Sequence, residues 1–290
     1  MSAEGFNPFS GGEIERVGPT TEPQREILTS ARMSDIANTA FNEGIVLTFE
    51  GDVNITLLEI CLEIIKRRHD ILRSTFTPTG KEICVMSDAD LPFKTVDLSS
   101  ATADSADLEV ARLLSNIAVS PMNLDEGPLL FAWAYLLPNA VTKLILVTHH
   151  VVCDGWSFGL LLDELQKLYA ANGDESVLAE APSYLEYAEE KSASQALNAD
   201  IDYWLNKYRD IPNSLDFPID SARPAVRSFE AKRLDYVFPA EITERLPATS
   251  TSLNATIVNL VLTAYVILIH RLTESHDLSL IHISEPTRPL

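Results

Sequence analysis

The residues best placed to do chemistry stand together in one short run: His149, His150, Val151, Val152, Cys153, Asp154 and Gly155. A neutral imidazole titrates near pH 6.5, so either histidine can hold or take the proton of an attacking nucleophile near neutrality. Asp154 offers a carboxylate that can neutralise a cation or cap a helix. Gly155 can permit a close backbone approach or a positive φ at a tight turn. If the histidines end a strand, their side chains point to opposite faces, so only one can meet a small reactant. The same alternation keeps two adjacent imidazoles from converging on a metal ion, and no second ligand group of familiar spacing accompanies them. A plainer account is also open: two core histidines satisfied by backbone partners, with Asp154 or Ser157 capping the next helix.

The flanking sequence predicts what positions this run. Residues 129–137 (LLFAWAYLL) and 144–147 are apolar on both alternating faces, the pattern of adjacent central strands in a covered sheet. After Gly155 the period changes, and Phe158, Leu161, Leu162, Leu165, Leu168 and Tyr169 recur at helical spacing up to Asn172 and Gly173. The histidines therefore lie on a strand-to-helix connection. After a loop-like opening, periodicity predicts helices over 21–33, from Asn54 to a basic end at Lys66, Arg67, Arg68 and His69, over 107–119, through 183–208 and over 254–272. It predicts strands over 45–49, 72–76, 82–86, 93–96 and 233–238, the last following a Pro-punctuated linker.

Composition bounds the function. A chain of 290 residues, 46% hydrophobic and 22% charged, is long enough for about two globular lobes. A formal charge of -20 repels a phosphate backbone and an anionic membrane surface, which argues against nucleic-acid and membrane partners. Cys61, Cys84 and Cys153 are odd in number and lack CxxC spacing, which fits a reduced, cytoplasmic setting. The first residues lack a signal-peptide pattern, and the apolar stretch 257–269 is too short to span a bilayer.

Five separated segments, in order, are similar to motifs of the condensation domain family of nonribosomal peptide synthetases. TEPQREIL (21–28) resembles the opening motif, departing from it at Pro23 and Ile27. RHDILRSTF (68–76) matches the second, and THHVVCDGWS (148–157) the core motif, with Cys153 where Ser is commoner. YLEYAEE (184–190) is a weaker match to the fourth, and HRLTESHD (270–277) resembles the entry to the second lobe. The resemblance implies an α/β sandwich of the chloramphenicol-acetyltransferase-like fold, two related lobes with the core motif at the junction of a tunnel. Expected boundaries are a leader at 1–19, a first lobe at 20–180, and a linker with the start of the second lobe at 181–277. LSLIHISEPTRPL (278–290) resembles the conceptual translation of a sequencing adapter.

The resemblance also implies the activity: an amine on one phosphopantetheine arm attacks a thioester on another, and an amide results. His150 would hold or take the amine proton, with His149 and Gly155 completing the motif. Asp154 would be a structural carboxylate neutralised by an arginine, with Arg68 and Arg73 as candidates. No bound cofactor is implied, because donor and acceptor peptidyl carrier domains and an adenylation domain of the same assembly line would supply the substrates. The competing readings are an epimerization domain sharing HHxxxDG and a non-catalytic recruitment domain of the same fold.

Overall fold

The computed structural model of the protein describes residues 12–117, 119–193, 198–210, 215–222, 224, 228–229, 234–276 and 278. The adapter-like segment, apart from Leu278, lies outside the described residues. The chain divides into two compact units, Met1–Gln195 and Ala196–Leu290.

The first unit contains β1 (Ile14–Pro19), α1 (Glu22–Ala31), α2 (Asp35–Thr39), β2 (Asn42–Glu50), α3 (Ile55–Arg68), β3 (Ser74–Phe76), β4 (Glu82–Met86), β5 (Phe93–Asp97), α4 (Ala103–Ile117), β6 (Leu130–Leu137), β7 (Val141–His149), α5 (Gly155–Ala170) and α6 (Tyr184–Ala193). Two sheets result. One runs β1-β4-β3, the other β2-β7-β6-β5. In the second sheet β7 pairs antiparallel with both β2 and β6, whereas β5 joins β6 in parallel. The two-faced apolar runs thus become the central strands, as their composition predicts. Ala132, Ala134, Leu144 and Ile145 are fully buried there, together with Leu58, Cys61, Leu62 and Ile65 of α3 and Phe158, Leu161, Leu165 and Leu168 of α5. Removing each such large side chain from water contributes about 1.5–3 kcal/mol, so this shared core is what fixes the exit of β7 against the start of α5.

Side-chain caps start the helices, α3 where periodicity predicts it and α2 where it does not. Asn54 caps α3 by accepting from Leu57 N at 3.0 Å. Ser34 does the same for α2 through Ala37 N at 3.1 Å. The loop-like opening is a correction: Ile14–Pro19 is a strand, paired antiparallel with β4. Its Gly and Pro content argues against a strand, and it forms because β4 offers a free edge. The expected helical stretch 183–208 is instead α6, whose Leu185 and Ala188 are buried in the first unit, and a separate helix α7 (Asn198–Lys207) in the second. The first unit therefore extends beyond the expected 20–180 at both ends.

In the second unit α7 is followed by α8 (Ala240–Thr243), α9 (Leu246–Ser252) and α10 (Ile257–Thr273). Thr256 caps α10, accepting from Asn259 N at 3.1 Å. The strand expected at 233–238 is not formed over its described part: residues 234–238 are irregular, with Leu234 and Val237 largely exposed. An alternating segment becomes a strand only beside a partner, and the described residues of this unit provide none. Among the described residues no single helix is long and apolar enough to cross a membrane.

Candidate active site

The strand and the helix place the motif between them. His149 is the last residue of β7, opposite Asn42 of β2, and it is completely buried. Val151 N donates to its Nδ1 at 3.2 Å, so the ring proton sits on the buried Nε2, which makes no close hydrogen bond among the described residues. Burial, and then the neighbouring His150, push its pKa down to about 4, and the Asn38 backbone carbonyl opposes this only in part. His149 is thus a neutral core residue near pH 7, its ring against Phe41 at 5.9 Å between centroids.

His150 faces the other way chemically. It is half-buried, with 35% of its side chain exposed. Its backbone N–H donates to Phe41 O at 2.8 Å, carrying the β2–β7 pairing one residue beyond the strand. Its Nδ1 donates to Cys153 O at 3.1 Å and lies 2.9 Å from Glu43 Oε1. A carbonyl can only accept, so the ring proton resides on Nδ1 and the Nε2 lone pair is left for a reactant.

Asp154 is the N-cap of α5. Its Oδ1 accepts from Ser157 N at 2.8 Å and from Ser157 Oγ at 2.7 Å, and these two bonds, in that order, hold its carboxyl below the usual range. The cap makes a sharp turn out of β7, and that turn exposes Trp156 while burying Val151, Val152 and Cys153. Burial, followed by the charges of Glu43 and Asp154, pushes the Cys153 thiol up to about 12. It has no thiolate character near neutrality and is excluded as a nucleophile.

The expected ion pairs are corrected. Asp154 is exposed and forms no ion pair among the described residues. Arg68 Nη2 instead lies 3.4 Å from Glu164 Oε1 and donates to Ala179 O at 2.5 Å. Arg73 Nη1 pairs with Glu15 Oε2 at 2.6 Å and donates to Met86 O. Both arginines are nearly buried; Arg68 meets a carboxylate as buried as itself, Glu164, whereas Arg73 reaches the exposed Glu15. Gly155 does not bear out a positive φ or a close approach either: a Cβ there would meet nothing within 4 Å. What the sequence did not reveal is Gln24 of α1, buried, whose Nε2 donates to Val151 O at 3.1 Å and pins the loop between the histidines and Asp154. A glutamine in an otherwise apolar helix face, inside a matched motif, is the signal that could have found it.

The family model for the condensation domain matches residues 14–283. The chain belongs to the condensation domain family of nonribosomal peptide synthetases. Among curated relatives, it is 31% identical over 274 residues to chondramide synthase cmdD of Chondromyces crocatus, covering 90% of this chain and 7% of that protein. It is 27% identical over 262 residues to bacitracin synthase 1 of Bacillus licheniformis, covering 89% of this chain and 5% of that protein. With malpinin synthetase of Mortierella alpina the figures are 27% over 267 residues, 89% and 3%. The condensation domain thus spans a small fraction of the relatives it matches.

Solved structures share its fold. A four-domain nonribosomal peptide synthetase bound to AMP and glycine superposes with a TM-score of 0.73 at 20% identity, over 90% of this chain and 20% of that one. The first condensation domain of the calcium-dependent antibiotic synthetase gives 0.71 at 20% identity, over 91% and 63%. The mixed α/β architecture of this condensation domain is therefore the chloramphenicol-acetyltransferase-like fold, as the motifs imply.

Proposed function

We propose that this condensation domain forms an amide between two substrates tethered to phosphopantetheine arms of peptidyl carrier domains, within a cytoplasmic assembly line whose adenylation domain activates them. The acceptor amine nitrogen attacks the donor thioester carbon, the C–S bond breaks, and the amine proton passes to His150 Nε2 and then to the departing thiolate. The observation that carries this reading is the state of His150: its Nδ1 is committed to the Cys153 carbonyl, and its Nε2 is free to accept.

The same reading sets the size of His150's share. General-base catalysis supplies about 100- to 10,000-fold, whereas alignment of two tethered reactants contributes roughly 7–11 kcal/mol. Tethering is the larger part, so loss of His150 leaves a residual rate. The candidate donors to the developing oxyanion are backbone N–H groups at the start of α5, beside Gly155. Asp154 serves architecture, by capping, and His149 fills the core.

The test is single-turnover amide formation by the full-length synthetase with loaded donor and acceptor carriers, followed by mass spectrometry of the acceptor arm. His150→Ala should slow this step far more than His149→Gln does in protein of equal folded fraction. Equal losses would refute the assignment, and exchange at the α-carbon without amide formation would place the chain among epimerization domains.

A further inference from the structure

On β2 the side chains alternate, and Phe41, Ile45, Leu47 and Phe49 pack against the hydrophobic core on one face. Glu43 falls in the same row, where packing alone calls for another apolar side chain. The carboxylate there, 35% exposed, faces His150, whose Nδ1 lies 2.9 Å from Glu43 Oε1. The contact does not depend on a loose loop. Glu43 sits opposite Thr148 in the β2–β7 register, and the bond from His150 N to Phe41 O, 2.8 Å, ties His150 to the residue that leads into β2.

We infer that Glu43 is a positioning residue for His150, fixing the ring with Nδ1 on the Cys153 carbonyl and stabilising the imidazolium formed when Nε2 takes the amine proton. This rests on the general-base reading of His150 above. The Cys153 carbonyl can orient the ring but carries no net charge, so Glu43 adds what the carbonyl cannot, a full negative charge beside the developing cation. The other titratable groups near the imidazole are His149, before it on β7, and Asp154, at the start of α5. His149 is neutral through burial, and Asp154 is committed to Ser157, so Glu43 is the carboxylate in direct contact.

Two substitutions separate this role from a structural one. Glu43→Gln keeps a polar oxygen beside Nδ1 and removes the charge. Glu43→Leu completes the apolar row and removes both. With the full-length synthetase, Glu43→Gln should slow single-turnover amide formation about tenfold and Glu43→Leu about 10- to 100-fold, part of the range a general base supplies. Thermal stability of Glu43→Leu should equal or exceed that of the parent. In 15N-histidine spectra His150 should show the Nδ1-protonated tautomer in the parent and a mixture in Glu43→Leu. Parent rates and an unchanged His150 tautomer in both variants, with His150→Ala still slow, would overturn the role of Glu43 alone. A parent rate in His150→Ala would overturn the general-base reading, while the spectra still decide whether Glu43 sets the tautomer.

Discussion

Asp70 Oδ1 accepts the backbone N–H of Tyr184 at 2.9 Å across 114 residues of sequence. The same carboxylate receives Ser183 Oγ at 2.5 Å and Leu185 N at 3.2 Å, so a residue of RHDILRSTF caps the helix of YLEYAEE. Two of the motifs that mark the family are thus one structural device. The neighbouring His69 works in the same way, its Nε2 2.9 Å from Glu164 Oε2 on α5. Asp70 is 9% exposed, so its removal strands three donors in a nearly dry site. Asp70→Ala should lower stability by about 2–3 kcal/mol, with Asp70→Asn costing less. Urea unfolding measures the loss, and limited proteolysis should show new cleavage near 184–193. An unchanged midpoint and digest would dismiss the cap.

Asp154 calls for a milder expectation than a buried ion pair would. As an exposed N-cap bonded to Ser157, it contributes about 1 kcal/mol through the first turn of α5. Asp154→Ala should therefore lower the melting temperature by a few degrees, and Asp154→Ser, which can still cap, should recover most of the loss. A loss of several kcal/mol, or no rescue by serine, would point to a charged partner instead.

Which parts of this arrangement were legible in the chain follows from how local each signal is. LLFAWAYLL is apolar on both faces, so its central place in the sheet needed no partner to be seen, and the change of period after Gly155 located the turn that carries the histidines. Residue pattern alone starts β2 at Ile45, whereas it begins at Asn42, because Asn, Glu and Gly are poor strand formers and pairing with β7 overrides them. That shortening hid Glu43 from view. The partners of Arg68 and Arg73 were equally hidden: Glu164 and Glu15 lie 96 and 58 residues away, a separation that no spacing rule spans.

The thiols should be inert in the folded chain. Cys61, Cys84 and Cys153 are all buried and free, and burial raises the pKa of each, Cys153 to about 12. At pH 8 iodoacetamide should leave Cys153 unmodified for hours in native protein and alkylate all three cysteines once urea is added. Peptide mass mapping reads the outcome directly. Fast native alkylation of Cys153 would mean that the loop after His150 opens, and would reinstate the thiol as a nucleophile.

His149 makes stability depend on pH in a defined window. Its unfolded imidazole titrates near 6.5, whereas burial holds the folded one near 4. Between those values the unfolded chain binds a proton that the native chain does not, so stability rises with pH there. Its contribution is complete above pH 6.5 and is lost as the pH falls toward 4, by roughly 3 kcal/mol in all for a shift of this size. The geometry gives the same sign: Val151 N donates to Nδ1, so a second proton placed on Nδ1 would break that bond. Urea unfolding of the parent at pH 7.5, 6.5, 5.5 and 4.5 should therefore show a steeper loss than His149→Gln, which has nothing to titrate. The difference between the two curves isolates this histidine from every other group. Parallel curves would mean that His149 is protonated as readily in the native chain as in the unfolded one, and that its burial at the end of β7 does not keep it neutral.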